Sequence, residues 1–334
     1  MKKSTLAVIA VLAIAITGYI IYSGVNGITP PNNEKEQPSH VSVRMKWFFA
    51  GTMTGWFAGK DQGIFEQHGI DLTISPGGPD NNSVKLVAAG TDLFGVAGAD
   101  EVLLAREKGI PIVAIGVLFK ESPLCFISKT STGINSPKDW TRKTAEVSYG
   151  SNAEVQYRAL VSKYNVKDIK EVPYTFSLIP FIEDKVDVSV AYKMDQVVTL
   201  RRKGIDLSII SAKDHGINPY GDVVITTEAT LKDHPNLVKA FMDAVIESHR
   251  WAIENQAPAV ESLISLAGGK LTAENEGEVW KETIPFIIPT GDITSIGQMT
   301  TARWDETNRI LVEYAGLDPS TDVSRAFHNL DGNQ

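Results

Sequence analysis

Cysteine is nearly missing from this chain, with Cys125 standing alone. A single thiol closes no internal disulfide, and its isolation removes cysteine-based zinc sites and paired redox motifs. Cys125 sits in the apolar run Leu124-Cys125-Phe126-Ile127, where a small buried side chain on a strand is the common role. Basic clusters are missing too. No long run of Lys or Arg follows Lys2 and Lys3, and 40 acidic against 32 basic residues give a net charge of −8. That balance argues against nucleic acid, whose phosphates need a clustered basic face. No Ser-His-Asp order, glycine-rich phosphate loop or metal-spaced cluster stands out. The sequence therefore nominates no catalytic residue, no metal site and no cofactor.

What is present is the composition of a soluble globular protein, with 43% hydrophobic and 22% charged residues. A chain of 334 residues is long enough for two lobes, each with its own core. Its N-terminus is distinctive. Lys2 and Lys3 precede an apolar run from Leu6 to Tyr22, and no charge occurs between Ser4 and Asn33. Basic residues before such a run place the N-terminus inside and the remainder outside. The run is long for a signal-peptide core and short of the roughly 20 residues of a spanning helix. It lacks a clear small-x-small cleavage site and a cysteine for lipid attachment. The expectation is an uncleaved membrane anchor over 1–23, with a cleaved signal peptide as the alternative. Both export the rest, to the periplasm or the outer face of the cytoplasmic membrane. Residues 24–40, rich in Gly, Pro, Asn and Glu, read as a flexible spacer.

From Val41 onward, short apolar strands alternate with amphipathic helices, which predicts an α/β fold. Strands are expected at 41–49, 70–74, 93–96 and 112–118, with helices at 56–67, 83–89 and 102–108 between them. The same rhythm restarts with strands at 145–148, 171–173, 186–191 and 207–210 and helices at 153–164, 178–183 and 197–203. After a strand at 222–226 the chain turns helical, over 235–255, 260–266, 274–284 and 298–315. Two such blocks suggest two doubly wound lobes, one discontinuous over 41–122 and 223–330, the other over 123–222. Open α/β sheets bind ligands outside the carboxyl ends of their strands, so two facing lobes would enclose one cleft. A single large α/β domain is the competing reading.

Several segments in fixed order resemble a known family. Trp47-Phe48-Phe49-Ala50-Gly51, Ala58-Gly59-Lys60-Asp61-Gln62-Gly63-Ile64-Phe65 and Gly69-Ile70-Asp71-Leu72 are similar to the opening of ABC-importer solute-binding proteins for nitrate, sulfonate, taurine and thiamine-type pyrimidines. Ser75-Pro76-Gly77-Gly78-Pro79-Asp80, the run from Leu86 to Asp92 and that from Ala105 to Ala114 continue the match. Ile134-Asn135-Ser136-Pro137-Lys138-Asp139-Trp140 resembles the entry into the second lobe. The Pro-Gly-Gly-Pro-Asp segment and His215-Gly216-Ile217-Asn218-Pro219-Tyr220-Gly221-Asp222 look closest to the pyrimidine and riboflavin branch, which is related to fungal thiamine-pyrimidine synthases. The resemblance implies a two-lobed trap of periplasmic-binding-protein type, joined by a two-crossover hinge. It would pass its solute to an ABC permease and its ATPase.

The loops that follow strands supply the candidate ligand residues, because helix N-termini there offer free N–H groups. Thr52 and Thr54 carry hydroxyls and Trp56 a stacking face; alternatively Thr54 caps the helix and Trp56 packs in the core. Ala99 lets a backbone approach a ligand, while Asp100 is an N-cap or a ligand contact. Ser151 and Asn152 open a helix in the second block, as cap or as hydrogen-bonding pair. Tyr192 and Asp195 follow the strand at 186–191. The resemblance implies an acidic residue near here, and a carboxylate suits the donors of an aminopyrimidine edge; a helix-start Asp stabilised by the dipole is the alternative. Phe119 and Tyr220 flank the presumed hinge, where Tyr220 is placed to stack. The expected solute is a small flat nitrogen-bearing aromatic such as a thiamine-pyrimidine precursor. Riboflavin or a sulfonate such as taurine is the alternative ligand, and a pyrimidine-synthase-like enzyme or an anchored sensor the alternative function.

Overall fold

The computed structural model describes residues 39–330. The expected anchor and nearly all of the expected spacer lie outside the described residues, although Ser39 and His40 already belong to a strand. Four strands open the chain: β1 (Ser39–Arg44), β2 (Ile70–Ser75), β3 (Phe94–Gly98) and β4 (Ile112–Val117). Between them run α1 (Thr54–Asp61), α2 (Ile64–Gln67), α3 (Ser83–Ala88) and α4 (Ala99–Glu107). β1 pairs in parallel with β2 on one side and β3 on the other. β3 and β4 are buried along their whole length, as strands covered on both faces should be.

The chain then crosses over. β5 (Leu124–Lys129), β6 (Thr144–Val147), β7 (Lys170–Pro173), β8 (Ser189–Tyr192) and β9 (Leu207–Ser211) build the second lobe with α5 (Asn152–Lys163), α6 (Ile179–Ile182) and α7 (Gln196–Arg202). β5 lies antiparallel between β8 and β9. The parallel β6–β7 ribbon joins this sheet through Glu146 N–H to Val188 O at 2.9 Å and Val188 N–H to Thr144 O at 3.1 Å. β5 falls at Cys125, in the apolar run noted above, but it runs opposite to the strands expected around it.

A second crossing brings β10 (Asp222–Thr227) back into the first lobe, antiparallel between β3 and β4, completing the order β2-β1-β3-β10-β4. The two antiparallel strands share one cause. A chain crossing between lobes leaves at the carboxyl end of one sheet and enters at the carboxyl end of the next, so its first strand there must run backwards.

The rest is helical: α8 (Glu228–Asp233), α9 (Pro235–Glu254), α10 (Gln256–Ala267), α11 (Ala273–Ile287) and α12 (Thr301–Tyr314). α9 begins with Pro235, where the missing N–H costs nothing, and buries Val238, Phe241, Met242, Val245 and His249 at helical spacing. Phe241 stacks on Phe94 with ring centroids 3.8 Å apart. α9 also packs closely on α1, an approach that Gly59 permits: a Cβ there would fall 1.8 Å from Ser248 Oγ. Among the described residues no helix is long and apolar enough to cross a membrane.

Candidate functional site

The carboxyl ends of both sheets face a cleft of about 500 Å³. Its first-lobe wall starts where β1 ends. Met45 N–H still donates to Ser75 O at 2.9 Å, and the chain then bends through residues 46–49. The strand expected to reach Phe49 stops here, because the turn after β2 closes on it. Gly77 N–H donates to Trp47 O at 2.9 Å, and a Cβ on Gly77 would lie 2.0 Å from Met45 O. Only glycine lets the two segments lie this close, and the bend aims Lys46 and Trp47 into the cleft.

Lys46 is surrounded by acid. Its Nζ donates to Asp222 Oδ1 at 2.9 Å and lies 3.8 Å from Glu101 Oε2 and 5.8 Å from the Tyr192 ring centre. Burial by itself lowers a lysine pKa, but Asp222, Tyr192 and Glu101 together raise it well above its ordinary value, holding the ammonium charged. The neighbouring Asp100 carboxyl is pushed up to about 7, by burial first and then by the Glu101 charge. Lys46 is thus committed to the protein, and Glu101, Asp195 and Asp222 oppose Lys46 and the exposed rim residue Lys85 along the lining.

The second-lobe wall is built from the loops after β6, β7 and β8. Ser151 caps α5, accepting from Ala153 N–H at 3.2 Å while donating to Ser148 O at 2.7 Å. Asp195 precedes α7 without capping it. Its Oδ2 accepts from Gln196 Nε2 at 2.8 Å, and Gln196 Oε1 accepts from Tyr192 N–H at 2.7 Å. Burial, reinforced by the Glu276 charge from the other lobe, pushes Asp195 up to about 6. Burial likewise raises Tyr174 and Tyr192 to about 12 each. Among the described residues, Asp195 Oδ1, the Asn152 amide and the Thr52 hydroxyl face the cleft without a hydrogen-bond partner. With the Tyr174 and Ser148 hydroxyls, which also line the cleft, they are polar groups free to orient a ligand.

Of the residues nominated from sequence, Thr52, Trp56, Phe119, Ser151, Asn152, Tyr192 and Asp195 line this cleft. Trp56 contributes only an edge. It is 2% exposed, with Phe241 and His249 at centroid distances of 6.0 and 5.6 Å, so it is a core side chain rather than a stacking platform. Four nominated residues fall outside the lining. Thr54 is fully buried and its hydroxyl donates to Gly51 O at 2.8 Å, bracing the preceding turn. Ala99 is buried with its N–H donated to Gly221 O at 3.2 Å. Asp100 is buried behind Glu101, and the cap of α4 is Gly98 instead. Tyr220 packs edge-on against Trp304 and its hydroxyl accepts from Thr300 N–H at 3.0 Å, so it cannot stack on a solute.

Lys46, Trp47, Tyr174, Phe176 and Asp222 also line the cleft, and none was singled out as a candidate contact. Their signal was positional, since each lies within a few residues of a strand end, but their roles depend on partners distant in sequence.

The family described as NMT1/THI5 like matches residues 51–259. The chain belongs to the NMT1/THI5-like family. Among its relatives, "Riboflavin-binding protein RibY" of Chloroflexus aurantiacus is 24% identical over 317 residues, covering 90% of this chain and 88% of that protein. "4-amino-5-hydroxymethyl-2-methylpyrimidine phosphate synthase" of Legionella pneumophila is 23% identical over 297 residues, 87% of this chain and 92% of that one. The NMT1/THI5-like chain also shares its fold with the periplasmic aliphatic sulphonate binding protein SsuA of Escherichia coli, with a TM-score of 0.69 at 14% identity, covering 89% of this chain and 95% of that one. The two-lobed architecture is that of periplasmic binding proteins.

Proposed function

We propose that the chain is the extracytoplasmic solute-binding component of an ABC importer, and that it captures a small, flat, nitrogen-bearing aromatic by closure of its lobes. The observation that carries this reading is the cleft itself: aromatic side chains from both lobes line it, and its deep cation is already neutralised. A volume of about 500 Å³ lies within the range of roughly 300–1,000 Å³ typical of small-molecule sites. An apolar ring system would bury against Trp47, Phe119, Tyr174 and Phe176, with Asp195 Oδ1 and Asn152 left to pair with ring or exocyclic nitrogens. A sulfonate is disfavoured by the same wall. No arginine lines the cleft among the described residues, and Lys46 is held by Asp222.

The binding role is preferred to catalysis because Cys125 is fully buried and its thiol, pushed up to about 12 by burial, stays protonated. The name of the riboflavin-binding relative points the same way. In this reading the solute leaves unchanged and passes to a permease, and the lobes work outside the cytoplasm.

Calorimetric titration with riboflavin, 4-amino-5-hydroxymethyl-2-methylpyrimidine and an alkanesulfonate tests the reading, alongside mass spectrometry of any solute that co-purifies. A heterocycle should bind and be recovered intact. Binding of the sulfonate with both heterocycles silent would sink the ligand class. Turnover of the pyrimidine would sink the trap.

A further inference from the structure

Four aromatic rings form a chain from one lobe to the other; Trp47, Tyr174 and Phe176 line the cleft, and Phe48 and Phe176 are about half exposed. Phe48 meets Trp47 edge-on at 5.3 Å, Trp47 meets Phe176 at 5.5 Å with planes tilted 39°, and Phe176 meets Tyr174 edge-on at 5.2 Å. Phe48 and Trp47 belong to the first lobe and Tyr174 and Phe176 to the second, so the middle link is the one that crosses between lobes. Two features set Phe176 apart. It is 49% exposed, although a phenylalanine gains by burial. Its backbone sits at φ +58, the left-handed region that a bulky L-residue rarely occupies and that persists where the surroundings or a function demand it. Nothing in the hydrophobic core needs Phe176: it belongs to the short connection between β7 and α6, and its ring contacts are Trp47 and Tyr174. The unfavourable backbone and the exposed ring are both accounted for if the ring's task is to meet Trp47 across the cleft.

We propose that Trp47 and Phe176 form an aromatic gate that closes over a bound ring and determines specificity for planar solutes, by slowing their escape more than by speeding their entry. The inference rests on the ring-ligand reading above and adds which residues hold the ring in. Rings 5.5 Å apart are already in contact and leave no room for a third ring between them, so the solute lies beneath the pair and stacks on its inner edge. Opening the lobes separates the gate, and closure rejoins it only when the ligand beneath is flat enough to fit. A bulky non-planar solute would keep the rings apart and forgo their contact. Affinity differences of this kind reside mostly in dissociation rates.

The test measures association and dissociation rates by stopped flow, with riboflavin and 4-amino-5-hydroxymethyl-2-methylpyrimidine as probes. Wild type is compared with Phe176→Ala, Trp47→Ala, the double variant and Phe176→Tyr. Each alanine variant should release the bound probe about tenfold faster or more, with association changed by less than about threefold. The double variant should fall well short of the product of the two effects, since each ring acts through the other. Phe176→Tyr should keep the slow release. The melting temperature of ligand-free Phe176→Ala should match wild type, because the ring is half exposed. Unchanged release in Phe176→Ala overturns the gate, as do multiplicative effects in the double variant. Wild-type protein that binds neither probe overturns the ring-ligand reading itself and the gate with it, an outcome distinct from binding that ignores both rings.

Discussion

Asp195 shows how one side chain ties ligand chemistry to pH. Burial and the Glu276 charge raise its carboxyl to about 6 from an ordinary 3.8. In the folded protein it therefore keeps its proton to higher pH than in the unfolded chain, and folding stability declines as pH rises between those two values. Above about 6 the carboxylate is formed and available as an acceptor. Affinity for an aminopyrimidine should accordingly weaken as pH drops below about 6. Asp195→Asn should lower affinity roughly tenfold to a hundredfold at neutral pH, the equivalent of a charge-assisted hydrogen bond of about 1.5–3 kcal/mol, and should flatten that pH profile. Titration of both proteins across the acid range gives the answer; equal affinities and equal profiles would assign Asp195 to the start of α7 and nothing more. Much at this scale was open to sequence reasoning. Thr52, Ser151, Asn152, Tyr192 and Asp195, which line the cleft, could be nominated because each follows a strand, and open sheets bind ligands outside such strand ends. Lys46 was hidden, since its meaning depends on Asp222, 176 positions away. Trp56 and Tyr220 misled for the opposite reason: an aromatic beside a cleft and an aromatic in the wall behind it look alike in sequence.

At the scale of elements, the seam between α1 and α9 is the tightest described. Replacing Gly59 by alanine should help a helix by about 1 kcal/mol through backbone entropy. Here the new methyl would stand 1.8 Å from Ser248 Oγ and 2.4 Å from its Cβ. Overpacking of that kind costs about 1–3 kcal/mol, so the clash wins and the melting temperature of Gly59→Ala should fall by several degrees. Adding Ser248→Gly removes that side chain but places a glycine inside α9 at a cost of about 1 kcal/mol and leaves Phe65 2.8 Å away, so Gly59→Ala should cost less in a Ser248→Gly background than in wild type in a thermal melt; an equal cost would place the strain elsewhere. The alternating rhythm of strands and helices was legible because apolar periodicity changes at each boundary, as along β4 and α9. α8 was not, since the short segment Glu228–Asp233 buries none of its residues and so leaves no apolar stripe to find. The reversed direction of β5 and β10 was illegible for a deeper reason: a strand's apolar pattern reads the same either way along the sheet.

For the whole molecule, the quantity that matters is the balance between open and closed lobes. Arg202 at the end of α7 reaches across to α11, with its guanidinium 2.7 Å from Glu274 and 3.1 Å from Glu278. The side chains are solvent-exposed, so the contact is weak and salt-sensitive. It acts only when the lobes are together, and a ligand's apparent affinity depends on the population of that form. Arg202→Ala should therefore weaken solute binding a few-fold without touching the cleft. Raising the salt concentration should weaken binding to wild type by a similar factor and leave the variant nearly unaffected. Identical salt dependence in the two proteins would show that the pair does not bias closure.

The placement of β10 carries a consequence for how the chain comes to be assembled. When residues up to Ser211 have been made, the second lobe is complete and can fold as an uninterrupted insert. The first lobe cannot. Among the described residues β4 pairs within its sheet with β10 alone, its other edge making isolated bridges to Gly297 and Phe327, so β3 and β4 each keep an open edge until a strand more than a hundred residues later slides between them. Open strand edges invite pairing with the wrong chain, and closing so long a loop is slow. During synthesis, the half of the protein that is made first is thus the half that finishes last.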